Sequence, residues 1–136
     1  MKRILYIIPA AMLLLASCAS SQSAYTVGGE WQVTNMNGKN ITPSTETPFI
    51  GFDRANGNLY GFTGCNRLTG TADLKKLANG KVDFKNVSMT QMLCPDDVYE
   101  TEFMEALNQA VSMEMKGNEM LLKNKQGKTI LTLKKK

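Results

Sequence analysis

Turn-forming dipeptides divide this sequence into short segments, and that division most limits the folds open to the chain. Asn37-Gly38, Asn79-Gly80, Gly117-Asn118 and Gln126-Gly127 each stand between segments of alternating apolar and polar residues. Such dipeptides favour the tight turns of antiparallel hairpins. The sequence therefore predicts a sheet of short strands that follow one another along the chain.

The alternation of apolar residues gives the individual strands. It predicts strands at 31–36, 49–52, 58–62 and 81–85, then a C-terminal meander at 113–116, 119–124 and 129–134. Val82 and Phe84 are expected on one face of the fourth strand. One segment has helical spacing instead: Tyr99, Phe103, Leu107 and their neighbours predict a single helix from about Asp97 to Ala110.

The order of strands, one helix and further strands indicates the α+β class. We expect the antiparallel sheet to curl into a small, partly open β-barrel, with the helix on one side. Asp96 or Asp97 is expected to cap the first turn of the helix.

The N-terminus has the composition of an export signal. Lys2 and Arg3 precede an apolar run from Ile4 to Ala16, which is too short to span a bilayer. Leu15-Ala16-Ser17-Cys18 resembles the lipobox of bacterial lipoproteins, in which the cysteine is lipid-modified and becomes the first mature residue. The alternative is an ordinary signal peptide cut near Ala16 or Ala19.

This interpretation divides the chain into three parts. Residues 1–17 are predicted to be a signal peptide, 18–28 a flexible tether and 29–136 one domain. Lipidated Cys18 would attach the protein to a membrane. We expect the anchor in the outer membrane and a monomeric domain, which we place in the periplasm because no acidic residue directly follows Cys18.

The charge balance gives little support to a nucleic-acid partner. The chain has 16 Lys and Arg against 12 Asp and Glu, and loss of Lys2 and Arg3 with the signal leaves 14 against 12. An exported protein with a nearly balanced charge is not expected to bind nucleic acid, and Lys134 to Lys136 are interpreted as a solvated tail.

The stretch GFTGCNRLTG, residues 61–70, could suggest a phosphate loop or a reactive cysteine. Neither interpretation is favoured, because no helix is predicted after it and no lysine is in place. The chain also contains no histidine to activate Cys65 as a nucleophile. Once Cys18 is assigned to lipid, Cys65 and Cys94 remain, and an oxidising compartment predicts a disulfide between them.

Two other groups of residues have the chemistry of ligand sites. The acids around the predicted helix start could bind metal or act on glycosides, but helix N-termini collect acids for electrostatic reasons alone. Methionines could offer thioethers to copper(I), although packing in the core is favoured. No cofactor is expected. The residues concerned are Asp96, Asp97, Glu100 and Glu102, and Met89, Met92, Met113, Met115 and Met120.

Several spaced blocks, taken together, resemble the META domain family of HslJ-like proteins over about residues 29–134. The blocks are Trp31, Gly38 and Phe52; Gly61, Gly64, Cys65, Asn66, Arg67 and Gly70; Thr90, Met92 and Cys94; and Glu102, Phe103, Leu107 and Gly127. The resemblance implies a partly open antiparallel barrel with one helix, in an envelope lipoprotein associated with heat shock and antibiotic tolerance. It implies no catalytic site.

The expected function is therefore non-catalytic: a lipid-anchored envelope domain that binds an envelope protein or polysaccharide, or supports the envelope under stress. A small-ligand or copper-binding module is the alternative, followed by an unrecognised hydrolase. In this interpretation the glycines of GFTGCNRLTG permit a sharp bend. Asn66 bonds the turn, the Cys65–Cys94 disulfide connects sheet and helix, and Arg67 stays available for surface recognition.

Overall fold

The computed structural model describes residues 24–42, 46–95 and 99–136, and these ranges contain three helices and nine strands. In chain order they are α1 (Ala24–Val27), β1 (Gly29–Met36), β2 (Lys39–Asn40), β3 (Phe49–Phe52), β4 (Asn58–Phe62), β5 (Arg67–Ala72), α2 (Leu74–Ala78), β6 (Phe84–Met89), α3 (Glu100–Gln109), β7 (Ser112–Lys116), β8 (Glu119–Lys123) and β9 (Thr129–Lys135).

The described strands form one antiparallel sheet in the order β6-β5-β4-β3-β1-β9-β8-β7, and β2 pairs with β1. Strand β1 joins the two halves of the sheet. Its Trp31 pairs with Ile50 of β3 on one side and with Lys135 of β9 on the other. The first and last strands of the domain are therefore neighbours, so the C-terminal meander continues the sheet built by the N-terminal half.

The two edge strands of this sheet, β6 and β7, form no ladder with each other in the described part of the chain. Only the residues just before β6 reach β7: Lys81 bridges Ser112, and Met113 N donates to Gly80 O at 2.9 Å. The α+β class and the antiparallel sheet are confirmed. The predicted barrel is not confirmed, because the sheet is not closed.

One hydrophobic core lies between the sheet and the helices. Trp31 of β1, Leu133 of β9, Phe103 and Leu107 of α3 and Leu77 of α2 are all buried in it. Burial of side chains of this size contributes about 1.5 to 3 kcal/mol each. The apolar face predicted for the helix from its spacing is thus the face that packs on the sheet.

The helices differ from the prediction in number and in length. Helix α3 begins at Glu100, and its N-cap residue Tyr99 makes no side-chain cap hydrogen bond. The predicted start near Asp97 is wrong, since Tyr99 is not helical, and the predicted caps Asp96 and Asp97 both lie outside the described residues. Helix α2 was missed because five residues are too few to show a period. Its cap is clear: Asp73 accepts hydrogen bonds from Lys75 N and Lys76 N.

Most predicted strands are confirmed, and the errors lie in the middle of the chain. Strands β1, β3, β4 and the meander β7–β9 stand close to their predicted positions. The strand expected at 81–85 begins only at Phe84 and continues to Met89, while β2 and β5 were not predicted. Val82 and Phe84 nevertheless both pack against the core.

The tether predicted over residues 18–28 is wrong for its last part. Ala24–Val27 is helix α1, Val27 is fully buried, and Trp31 Nε1 donates to Val27 O at 2.8 Å. The folded unit therefore includes residues before Gly29. Cys18 and the predicted signal peptide lie outside the described residues. None of the described helices has the length and apolar character needed to cross a membrane.

Candidate functional site

The turn between β4 and β5 is built by Thr63 and Asn66, both of which are buried. Thr63 N donates to Asn66 O at 2.9 Å, and Asn66 N donates to Thr63 Oγ1 at 2.8 Å. Gly64, between them, has a φ of 101°, which favours glycine. The predicted bend in GFTGCNRLTG is present, and it is closed by Thr63, a residue that the sequence alone did not indicate.

The Asn66 side chain connects this turn to residues far along the sequence. Its Oδ1 accepts from Met92 N at 2.8 Å and from Thr90 Oγ1 at 2.9 Å. Its Nδ2 donates to Met92 O at 3.2 Å and to Glu100 Oε2 at 2.9 Å. A carboxamide can donate two hydrogen bonds and accept two, so the bonding capacity of Asn66 is used in full.

Glu100, the first residue of α3, completes the arrangement. Its Oε2 also accepts from Thr63 Oγ1 at 2.7 Å, so the start of α3 is joined to the β4–β5 turn. We call Thr63, Asn66, Thr90, Met92 and Glu100 the Asn66 network. The interpretation of Glu100 as a helix-terminus charge alone is therefore incomplete. Glu102 on the same turn is exposed, as that interpretation expects.

The predicted disulfide between Cys65 and Cys94 is present beside this network, with Cα atoms 5.9 Å apart. It closes a sequence separation of 29 residues. Together with Asn66 it fixes residues 90–95, which we call the 90–95 loop, to the turn after β4. The interpretation of GFTGCNRLTG as a connection between sheet and helix start is thus confirmed.

A metal site at the same place would need thiolates. Cys65 Sγ, Cys94 Sγ and a Glu100 carboxylate oxygen lie within 4.8 Å of one another. The two sulfurs are bonded to each other, and the carboxylate is used by Thr63 and Asn66. Because metal ions bind deprotonated thiols, the oxidised pair does not supply them.

The remaining family-motif residues have separate positions. A Cβ on Gly61 would lie 2.5 Å from Phe49 O, so the approach of β3 requires glycine there. Gly70 lies in β5 where its register with β6 shifts. Arg67 is exposed, and its backbone N donates to Thr90 Oγ1 at 3.0 Å. The motif therefore shapes the β4–β5 hairpin as well as the network.

The methionines proposed as copper ligands are divided between core and surface. Met113 and Met120 are buried, and Met89 and Met115 pack against the core. The predicted packing role is confirmed for these four. Met92 differs, since its side chain is 59% exposed, and its neighbour Leu93 is 101% exposed. Two apolar side chains therefore project from a loop whose backbone is held by Asn66.

Comparison with known proteins identifies relatives over nearly the whole described chain. A curated relative, "Heat shock protein HslJ" from Escherichia coli (strain K12), is 27% identical over 121 residues, which cover 83% of each chain. A solved NMR structure is 26% identical with a TM-score of 0.61, and the alignment covers 79% of this chain and 89% of the other.

A crystal structure of a DUF4847 family protein from Bacteroides vulgatus ATCC 8482 has a TM-score of 0.54 at 23% identity. That alignment covers 82% of this chain and 94% of the other, and at this identity it supports the fold alone. The family model of the META domain matches residues 24–136, which include α1, the Asn66 network and the meander. The chain therefore belongs to the META domain family.

Proposed function

We propose that this protein is a lipid-anchored, non-catalytic binding domain of the bacterial cell envelope, and that the 90–95 loop contacts a protein partner. The proposal rests on one observation, which is the contrast between the backbone and the side chains of this loop. Met92 N and O are both bonded to Asn66, while the Met92 and Leu93 side chains are exposed to solvent.

Such a loop is suited to binding because its shape is fixed in advance. Ordering a flexible loop at an interface costs free energy, and a backbone already held by Asn66 and Cys94 avoids much of that cost. Apolar side chains at the centre of an interface contribute most of its binding energy. Leu93 and Met92 would supply that centre, since a side chain that makes no contribution to the core is free to contact a partner.

The polar chemistry of the site supports a binding role over catalysis. Cys65 is oxidised, the carboxamide of Asn66 is saturated with hydrogen bonds, and the carboxylate of Glu100 accepts from two neighbours. A general acid or base must be able to exchange a proton with substrate. The most elaborate polar cluster among the described residues is thus engaged in holding the chain together.

The proposed location is the outer membrane, with the domain in the periplasm and the anchor at Cys18. The LASC sequence before the folded unit motivates the anchor. A role in envelope stress is supported by the name of the Escherichia coli relative, which is called a heat shock protein. Cys18→Ala should release the protein from the membrane fraction, and a variant that still sediments with membranes would contradict the anchor.

The binding proposal is tested by photo-crosslinking in cells from a reactive residue placed at Gln91, beside the exposed pair. We expect one dominant envelope protein to be captured, and we expect Leu93→Asp to abolish the capture. The matched control places the same reactive residue at Lys75, which is exposed on α2. If both positions capture the same proteins, or if Leu93→Asp has no effect, the loop is not the binding surface.

A further inference from the structure

The outer face of β3, β4 and β5 carries aromatic side chains on the side of the sheet that faces away from the core. The strand register places Phe49 opposite Phe62, and Phe62 opposite Arg67. In the next row Tyr60 lies opposite Thr69. The solvated face of an antiparallel sheet ordinarily carries polar residues, so three aromatic rings together on this face require an explanation.

The rings form one cluster. The centroids of Phe49 and Phe62 are 6.5 Å apart, and those of Phe49 and Tyr60 are 6.4 Å apart with the planes at 75°. These distances are within the range of favourable aromatic pairs. Phe49 and Phe62 are half-buried, whereas Tyr60 is 37% exposed. The three rings thus pack against one another, and the outer side of the cluster is open to solvent.

Tyr60 is held in a fixed position on the sheet. Its ring lies over Gly51, where an added Cβ would come within 2.3 Å of Tyr60 Cζ. Burial, followed by the charges of Glu30 and Asp53, raises the pKa of Tyr60. The ring therefore presents a neutral, oriented surface to solvent.

The rings line a cleft of about 300 Å³ that also has polar walls. Its lining includes Glu46, Phe49, Tyr60, Phe62, Arg67 and Thr69. Within the described residues the Arg67 guanidinium makes no hydrogen bond or ion pair, so its donors are open to a ligand. Thr69 Oγ1 lies 3.2 Å from Ser88 Oγ and can both donate and accept.

We propose that this cleft binds a pyranose saccharide. One face of a pyranose ring presents C–H groups, which pack against the electron-rich face of an aromatic ring. Its hydroxyl groups both donate and accept hydrogen bonds, and Arg67 and Glu46 supply the complementary groups. A concave site with aromatic walls and a few oriented polar groups is the usual form of a small-ligand pocket.

The charges of the cleft disfavour an anionic membrane surface as its occupant. Glu46 lines the cleft and offsets the charge of Arg67, so the cleft has no excess positive charge to attract acidic headgroups. The nearby Lys136 ammonium is already paired, since its Nζ lies 3.1 Å from Glu30 Oε2 and 5.0 Å from the Phe49 ring centroid.

The test is saturation-transfer NMR on the full chain in detergent micelles, with chitotriose and cellotriose as the probes. We expect saturation to pass from aromatic protein protons to the C–H protons of the sugar. Tyr60→Ala and Arg67→Ala should each weaken binding by about tenfold, as expected for loss of one good contact. Lys125→Ala, at an exposed position in the turn between β8 and β9, is the control, and it should leave saccharide binding unchanged.

The proposal is overturned if neither sugar receives saturation at about 10 mM, where even millimolar binding is detected. It is also overturned if both cleft variants bind sugar as the original chain does, or if only vesicles containing phosphatidylglycerol bind through Tyr60. Should Tyr60→Ala fail to fold, Arg67→Ala and Glu46→Gln decide the matter, since both residues are exposed. Because the NMR sample contains no other protein, this outcome is separate from that of the proposed protein partner.

Discussion

The Asn66 network and the C-terminal meander stabilise the same domain by different means. The meander, β7 to β9, joins neighbouring segments of the chain, and its Met120, Leu122 and Leu133 are fully buried. The network joins three segments that are distant in sequence through hydrogen bonds to Asn66, with a disulfide beside it. The meander therefore depends on buried apolar area, and the Asn66 network depends on polar groups whose hydrogen-bonding capacity is fully used.

This difference bears on how each region responds to change. Apolar burial is spread over many contacts, so one altered residue leaves most of the meander's stabilisation in place. A buried polar network is concentrated, because removal of one member leaves its partners without hydrogen bonds. We therefore expect the larger effects of substitution at the network and the smaller ones at the turns and surface of the meander.

The largest expected effect is loss of the disulfide. Replacing Cys65 and Cys94 together by Ala should lower the free energy of unfolding by about 3 to 4 kcal/mol, because the unfolded chain regains the freedom of a long loop. Urea unfolding with and without a dithiol reductant measures it. The reductant should bring the original chain to the stability of the double variant and leave that variant unchanged; a reductant effect on the variant would contradict the assignment.

Asn66→Ala compared with Asn124→Ala tests the contrast directly. Asn66 is 1% exposed, and its loss leaves buried donors and acceptors unpaired, so we expect a decrease of about 3 kcal/mol in the free energy of unfolding. Asn124 Oδ1 accepts from Gln126 N and Lys128 N in the turn before β9, where water can replace it. Its loss should cost about 1 kcal/mol or less.

The measurement is the urea midpoint of each variant under the same non-reducing conditions. Two variants of equal stability would show that Asn66 is no more than a turn residue. The disulfide should remain intact in both, and this is checked by counting thiols that react in the folded protein. A free thiol appearing in Asn66→Ala alone would show that the network also positions Cys65 against Cys94.

The same contrast explains what could be predicted from the sequence. The meander was predicted almost to the residue, because alternation and the Gly117-Asn118 and Gln126-Gly127 turns are local signals. In the other region the disulfide could be predicted from counting cysteines, and Asn66 from the family motif. The hydrogen bond between Thr63 and Glu100 could not be predicted, because a contact between residues 37 positions apart leaves no local pattern in the sequence.

Short elements were missed for a related reason. Helix α2 has five residues and β2 has two, so each is shorter than two repeats of its apolar period, and no pattern can be recognised. Strand β5, RLTGTA, places only Leu68 fully in the core, so its alternation is weak. Its place in the sheet is set by pairing with β4 and β6, which is a tertiary effect and not a propensity of its own residues.

Glu100→Gln with Glu102→Gln as control should give a smaller difference. Both substitutions remove a negative charge from the first turn of α3, so both lose the same favourable interaction with the helix dipole. Only Glu100 accepts from Thr63 and Asn66, both through Oε2, and a glutamine oxygen at that position would accept the same two hydrogen bonds without the negative charge that strengthens them. We expect Glu100→Gln to be less stable than Glu102→Gln by about 1 kcal/mol. Equal unfolding midpoints would show that the network does not need the carboxylate.

The smallest effect is expected at the Glu114–Lys123 pair, which joins β7 and β8 on the surface of the meander. The hydrogen bond from Lys123, followed by its charge, lowers the pKa of Glu114. A carboxyl group with a lowered pKa in the folded state stabilises the fold above its unfolded pKa, and this contribution is lost as pH falls through the folded pKa. Glu114→Gln should therefore be slightly less stable than the original chain at neutral pH and equal to it in acid. The difference should also shrink in high salt, because the pair is solvent-exposed.

Thermal unfolding of both proteins from neutral pH into the acidic range measures this difference in stability. A difference in stability that persists in acid would be caused by packing of the Glu114 side chain against β8. The surface of the meander would then depend on specific side-chain contacts, as the Asn66 network does.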